Sequence, residues 1–440
     1  MKNKKWMAIL LGGIMAASLA APCSVSAAEK TTLTFWHAMG GTNGEVLQQI
    51  VDDFNASQDE IEVKAEYQGT YDDTITKLKA AMQSDSGLPD VCQMYDVGTK
   101  FMYDSGAVIP VEDKFESTGY DKSSVMDVIS SYYTVEGKQY AMPFNVSTPM
   151  LYYNKDVFEA AGLDPETPPT TYDEVLEDAK KIVESGAAPV GYSQAIYGWF
   201  FEQQLAGLGV TYGNNDNGRT EAVTAVDFDS NGGGLKVFDM WKKLYDSGYF
   251  EDYGTTTADT QTAFFSGQVG MIIESTAILK NAVDSSPFEV GTGYLPRIEQ
   301  NDEGGVIIGG GSLWITDTGN EANEDAAWKF IEYITTPDVQ AKWSMGTGYF
   351  AINEKAYETD DMKAYLKENP NFETAINQLK DSPVNCNTAG VLSGVQTEAR
   401  LTFNEIMPQV YDGKLTTQDA VDQLAASVNK AIENYNESIK

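Results

Sequence analysis

The chain has 440 residues, 42% of them hydrophobic and 22% charged, a globular composition with room for two domains and too apolar for a disordered chain. Its 65 acids against 30 bases give a formal net charge of −35, which argues against nucleic acid and anionic membrane as partners. His37 is the single histidine and there are three cysteines, so no Cys/His metal constellation can be built, and no cofactor is implied.

The first residues read as an export signal. Lys2, Lys4 and Lys5 form a positive start, residues 7–19 an apolar run, and Val25-Ser26-Ala27 the small residues before a cut after Ala27. The run is shorter than the roughly 20 apolar residues of a membrane span. Cys23 follows Ala20-Ala21-Pro22, and a proline directly before the cysteine fits a lipidation box poorly. The expectation is a freely soluble exported protein, in the periplasm or on the outer face of the cytoplasmic membrane. Loss of the leader removes three lysines and no acid, leaving 27 bases against 65 acids. Cys92 and Cys386 then remain, and whether they pair in an oxidising compartment stays open.

Residues 33–37 read as a strand, followed by a glycine turn at 40–44. Val46, Leu47, Ile50, Val51 and Phe54 recur on one helical face. Residues 61–67 alternate as a second strand. Residues 71–84 place Ile75, Leu78 and Met82 on a second helix, and 91–94 form a buried strand. This alternation builds a parallel sheet covered by helices, with ligands expected beyond the carboxyl ends of its strands. Those ends are His37, residues 68–71 and Tyr95-Asp96.

Two prolines bracket a polar patch in Pro143-Phe-Asn-Val-Ser-Thr-Pro149, and the apolar run Met150-Leu-Tyr-Tyr153 follows. Each proline fixes its φ and extends the residue before it, so 143–155 reads as an extended crossing segment, with Asn145, Ser147 and Thr148 as short donors and acceptors. Thr171-Tyr-Asp-Glu174 is a capping box, and Tyr197-Gly-Trp199-Phe-Phe201 starts another helix. Residues 213–218 read as a polar turn; Leu235, Phe238, Trp241 and Tyr245 mark a helical face. A strand ends at Glu274-Ser275. Residues 288–295 and 306–316 read as strands, the latter with three glycines at 309–311 that allow close approach to the backbone. From Glu321 onward the pattern is mainly helical: 322–334, 337–345, 362–368, 374–379, 395–410 and 417–435.

These stretches resemble, in the same order, the extracellular solute-binding proteins of ABC importers, in the maltose-binding-like group and nearest the glycerol-3-phosphate-binding proteins. The matching stretches are Phe35-Trp-His37, Tyr95-Asp-Val-Gly98, Pro143–Pro149, Leu151–Asp156, Ala161–Pro169, Ile307–Trp314 and Gly346-Thr-Gly-Tyr349. The resemblance implies an α/β, periplasmic-binding-protein-like fold: two α/β lobes joined by crossing hinge segments with a ligand cleft between them. After the signal peptide read at 1–27, it implies lobe one at 28–145 and 294–346, and lobe two at 146–293 and 347–440. Its implied partners are a small-molecule ligand and integral membrane permease subunits, with the chain itself a monomer and not an enzyme.

Carried over position by position, the resemblance implies ligand contacts at Tyr71, Asp96, Ser147, Trp199, Ser275, Gly310, Tyr349 and Arg400. Tyr71 would donate to a phosphate oxygen. Asp96 would accept from polyol hydroxyls, where the family usually carries the longer Glu. Ser147 and Ser275 supply hydroxyls, Trp199 a flat apolar face, and Gly310 a backbone N–H. Tyr349 matches the family's ligand tyrosine. Arg400, one of three arginines beside Arg219 and Arg297, offers a planar fork for phosphate or carboxylate; its bland alternative is a helix-surface ion pair with Glu398 or Glu405. His37 reads as structural. The ligand implied is a small phosphorylated polyol, glycerol-3-phosphate or a glycerophosphodiester. Alternatives are a neutral sugar or oligosaccharide on the same fold, and a secreted glycoside hydrolase using two carboxylates.

Overall fold

The structure, a computed structural model, describes residues 30–84 and 87–440; the expected export signal and Cys23 lie outside the described residues. Twelve strands are described: β1 (Thr31–His37), β2 (Ile61–Tyr67), β3 (Val91–Tyr95), β4 (Val108–Ile109), β5 (Thr134–Val135), β6 (Lys138–Gln139), β7 (Met142–Ser147), β8 (Pro149–Asn154), β9 (Val190–Ser193), β10 (Val269–Ser275), β11 (Val290–Gly293) and β12 (Gly309–Thr316). They form two main sheets, each the floor of a lobe. The first runs β2-β1-β3-β12-β4, with β7 also paired to β12; the second runs β11-β8-β10-β9. β5 and β6 make a separate hairpin.

The opening alternation has the expected outcome, with β1 parallel to both β2 and β3. Leu33 and Phe35 of β1 point inward, whereas all five residues of β3 are buried, as a strand covered on both faces requires. β12 then enters antiparallel to β3, β4 and β7. Trp314, Trp328, Phe330 and Ile331 fill the first core; Phe200, Phe201, Trp241 and Phe403 fill the second. Each such side chain contributes about 1.5–3 kcal/mol on burial.

The segment around Thr148 joins the lobes. β7 belongs to the first sheet and β8 to the second, and only Thr148 separates them. Thr276 clamps it: its Oγ1 accepts from Thr148 N (3.1 Å), and its N donates to Thr148 O (2.8 Å). The chain returns between β11 and β12. Phe350 N donates to Val146 O (2.9 Å), bringing a third stretch alongside. The helices Gln396–Tyr411 and Thr417–Ser438 pack on the second lobe's Gly198–Gly207 and Gly233–Asp246.

Some elements differ from the sequence pattern. Residues 306–308 stay out of β12, because Gln203 takes both polar groups of Ile307: its Nε2 donates to the carbonyl (2.8 Å) and its Oε1 accepts from the N–H (2.9 Å). The 213–218 turn contains three consecutive left-handed residues, Asn215, Asp216 and Asn217, a conformation these side chains tolerate by local hydrogen bonding. The glycines at 41 and 44 belong to the helix Gly41–Ser57 and not to a turn before it. Cys92 and Cys386 are both free thiols. Among the described residues no helix is long and apolar enough to cross a membrane.

Candidate functional site

Asp96, immediately after β3, faces the cleft from the first lobe. Arg400, on the helix Gln396–Tyr411, faces it from the second. Arg400 Nη2 donates to Asp96 Oδ2 (2.8 Å) and Glu202 Oε2 (2.7 Å), and its Nε donates to Glu202 Oε1 (2.8 Å). All three side chains are buried. Burial alone would lower the arginine pKa, but the two carboxylates hold it well above the ordinary value. The cluster therefore carries one positive and two negative groups. Among the described residues Nη1 makes no hydrogen bond, so one edge of the fork remains a donor. The bland expectation of an ion pair with Glu398 or Glu405 is corrected: the partners come from other elements, because the guanidinium points inward from its helix and not along the surface.

The helix placing Arg400 lies close to the helix Gly198–Gly207. An ideal Cβ on Gly198 would fall 2.5 Å from Arg400 Cα, so this approach requires glycine. The same helix carries Trp199 and Glu202, three residues apart and on one face. Trp199 lies against Gly309, and its buried Nε1–H has no partner among the described residues.

Tyr71 stacks on Tyr95 at 5.2 Å between centroids, and its hydroxyl accepts from Asn145 Nδ2 (2.6 Å). Burial raises its pKa well above the ordinary phenol value, with Tyr349 and Asp96 adding to the shift. Asn145 Oδ1 accepts in turn from Gln93 Nε2 (2.7 Å). Gly310 sits opposite Val146 at φ +97°, where a Cβ would meet the Asn145 carbonyl oxygen at 1.8 Å; no other residue fits. Ser147 pairs with Gly309 at the end of β7. Tyr349 stacks on Trp343 and is buried, which raises its pKa. Ser275 lies beside the hinge, opposite Pro149: its Oγ accepts from Ala277 N (3.1 Å) and its carbonyl from Tyr152 Oη (2.7 Å).

The eight sequence-chosen residues thus fall into two adjoining groups. Asp96, Arg400 and Trp199 surround the charged cluster. Tyr71, Ser147, Gly310 and Tyr349 line the strand crossing, with Ser275 at its second-lobe end. The sequence reading passed over Glu202, and it noted Asn145 only as a hinge polar group. A charged residue inside an otherwise apolar, aromatic helix, three positions from Trp199, was the signal for Glu202. The aromatic rim of Tyr132, Tyr133 and Tyr197 was also passed over; the charges of Asp96 reach all three phenols. His37, by contrast, is buried away from this cluster, burial lowers its pKa to about 4, and its Nδ1 accepts from Met39 N (3.3 Å). Among the described residues no group of His, Cys, Asp and Glu is placed to hold a metal.

Comparison with known proteins gives the same architecture. Residues 49–374 match the family model described as bacterial extracellular solute-binding protein. The sn-glycerol-3-phosphate-binding periplasmic protein UgpB of Escherichia coli (strain K12) is 30% identical over 417 residues, covering 93% of this chain and 94% of that protein. Among solved structures, the cyclic alpha-maltosyl-1,6-maltose binding protein from Arthrobacter globiformis is 26% identical with a TM-score of 0.76, over 92% of this chain and 100% of that one. UgpB from Mycobacterium tuberculosis, in complex with glycerophosphocholine, has a TM-score of 0.79 at 21% identity, over 93% and 100%.

Proposed function

The chain belongs to the bacterial extracellular solute-binding protein family and is the solute-binding component of an ABC importer, and on that premise we propose that it captures a small phosphorylated polyol, glycerol-3-phosphate or a glycerophosphodiester. The observation that carries this reading is Arg400, a guanidinium set between the lobes with its Nη1 edge unspent. A phosphate monoester or diester offers only acceptors. It suits that edge, the orphan Trp199 Nε1–H and the phenols of Tyr71 and Tyr349. Asp96, Glu202, Ser147 and Ser275 are the polyol-hydroxyl partners, and the N–H of Gly310 is a further donor. The 30% identity to a glycerol-3-phosphate-binding protein supports the same ligand class. Lobe one is taken as 28–145 and 294–346 and lobe two as 146–293 and 347–440; the chain is exported after cleavage at Ala27, works as a monomer and catalyses no turnover.

Capture follows from the two-lobe arrangement. Contacts drawn from both lobes exist together only when the cleft is shut, so the ligand favours closure by its differential affinity. The closed form then delivers the ligand to the permease subunits.

A second reading is a neutral sugar. One cation against two carboxylates leaves the cluster net negative, which suits hydroxyl donors, and a 26% identical structure is a maltosyl-oligosaccharide-binding protein. Calorimetric titration separates the two, using glycerol-3-phosphate, glycerophosphocholine and maltose against wild type and Arg400→Ala. The expected result is binding of a phosphorylated ligand by wild type and a loss of at least about 100-fold in the variant, as removal of a buried charge-assisted contact implies. Binding of maltose alone, or phosphate-ester binding that survives the substitution, overturns the phosphate assignment. Release of product from a chromogenic glycoside would overturn the binding-protein reading itself.

A further inference from the structure

Arg219 lies away from the ligand cluster, in a protein with only two other arginines. No carboxylate pairs with it among the described residues. Its three nitrogens donate to backbone carbonyls instead. Nε reaches Gly390 O (3.1 Å), and Nη2 reaches Gly390 O (3.0 Å) and Ala389 O. Nη1 turns the other way, to Tyr132 O (3.0 Å), Ser131 O (3.4 Å) and Thr134 O (3.5 Å). The guanidinium also lies over the Tyr132 ring, 5.3 Å from its centroid.

The two edges of this fork belong to different lobes. Residues 131–134 lead into the β5–β6 hairpin and β7, and Tyr132 and Tyr133 pack in the first core. Residues 389–390 are tied to the second lobe through Asn217, whose Nδ2 donates to Cys386 O (3.0 Å) and whose carbonyl accepts from Leu392 N (2.8 Å). Asn217 is the last of the three left-handed residues, so that irregular turn seats Arg219 on its own lobe. When the lobes part, the Nε and Nη2 bonds travel together with Arg219, and the Nη1 bonds break. Burial lowers the arginine pKa to about 10, so the charge is intact at neutral pH and the exposed carbonyls gain a charged donor on closure. Tyr132 then links this seam to the ligand cluster. A Cβ on Gly390 would sit 2.8 Å from its ring, and its phenol feels the charges of Asp96, Arg400 and Glu202.

We propose that Arg219 is an interlobe positioning residue, whose guanidinium clasps the backbone of both lobes at once and favours the closed form independently of ligand. This rests on the two-lobe capture reading above, but not on which ligand is captured. Arg219 touches no ligand; it acts by seating Tyr132 and the first lobe against the second.

The test is the distance between lobes. Donor and acceptor dyes at Lys64→Cys and Lys180→Cys, both exposed and one in each lobe, with Cys386→Ser, report closure by energy transfer. In the ligand-free protein, Arg219→Gln is expected to shift the distance distribution toward the open form, with Arg219→Lys intermediate because one ammonium cannot span both edges. With glycerol-3-phosphate and maltose as probes, the dissociation constant of whichever binds is expected to rise about tenfold, chiefly through faster release, the loss of one or two hydrogen bonds. A merely structural arginine would lower the melting temperature and leave the distances unchanged, which overturns the proposal. So does a Lys variant equal to wild type. If Arg219→Gln does not fold, Arg219→Lys is read in its place, and if neither folds the residue serves folding and the proposal is wrong. Failure of glycerol-3-phosphate to bind wild type counts against the ligand assignment alone, because the ligand-free arm still reads the clasp.

Discussion

Glu274 is buried at the end of β10 with no cation paired to it among the described residues; its Oε2 accepts from Gln261 Nε2 (3.0 Å) and its Oε1 from Ser275 N (2.7 Å). Burial pushes its pKa from 4.5 to about 7, against the opposing effect of those two bonds. The folded protein therefore holds a proton that the unfolded chain has already released between these values. Stability from this group is full below about pH 4.5 and is lost as pH rises through about 7, at up to about 1.4 kcal/mol per pH unit. His37 acts oppositely: its pKa, lowered from 6.5 to about 4, gives stability that is present above 6.5 and lost as pH falls through 4. Denaturation midpoints of wild type and Glu274→Gln between pH 5 and 8 separate the two, since His37 is common to both. The expected outcome is that the variant gains on wild type as pH rises; a constant difference would mean that Glu274 is ionised throughout. At this scale the sequence was readable where a residue type is rare, as with Arg400, and unreadable where partners are distant. Along its own helix the acids nearest Arg400 are Glu398 and Glu405, while its bonds go to Asp96 and Glu202 on other elements.

Elements were legible wherever one periodicity ruled. The helix Tyr172–Ser185 begins at the capping box read from Thr171 and Glu174, and β2 spans the alternating stretch at 61–67. β12 shows what pattern cannot supply. Its glycines were visible, but the start of the strand is set by Gln203 holding Ile307, a contact between distant parts of the chain. At Gly310, where φ is +97° and the Asn145 carbonyl blocks any Cβ, Gly310→Ala must force β7 and β12 apart. The expected cost is about 2–4 kcal/mol, from strain and the displaced strand pairing together. A thermal melt of the variant checks this; a melting temperature within about 2 °C of wild type would mean that the crossing tolerates a side chain.

Over the whole molecule, the lobes meet through contacts drawn from separate places on each. Asp96 meets Arg400, the Tyr95 hydroxyl lies 2.5 Å from Thr397 Oγ1, and Tyr435 Oη donates to Asp104 Oδ2 (2.7 Å). Small-angle scattering is therefore expected to show a smaller radius of gyration with ligand than without, the saturated curve agreeing with the arrangement described here. An unchanged radius would count against capture by closure. The two-sheet architecture was within reach of the sequence because strand and helix patterns alternate cleanly and the crossing segment is marked by its prolines. The interlobe bonds were not, since each joins residues with no relation in spacing.

The strand order carries a consequence for how the protein is made. β12 lies between β3 and β4 in the first sheet and also pairs with β7, yet it comes after every strand of the second. As the polypeptide emerges from its amino end, β3, β4 and β7 are all available while the slot between them stays vacant. The second sheet has its four strands by residue 293; the first must wait until residues 309–316 arrive. The second sheet is thus able to pair before the first, although its lobe still waits for the helices Gln396–Tyr411 and Thr417–Ser438, and the first sheet spends that interval with open strand edges, the state most prone to join a neighbouring chain.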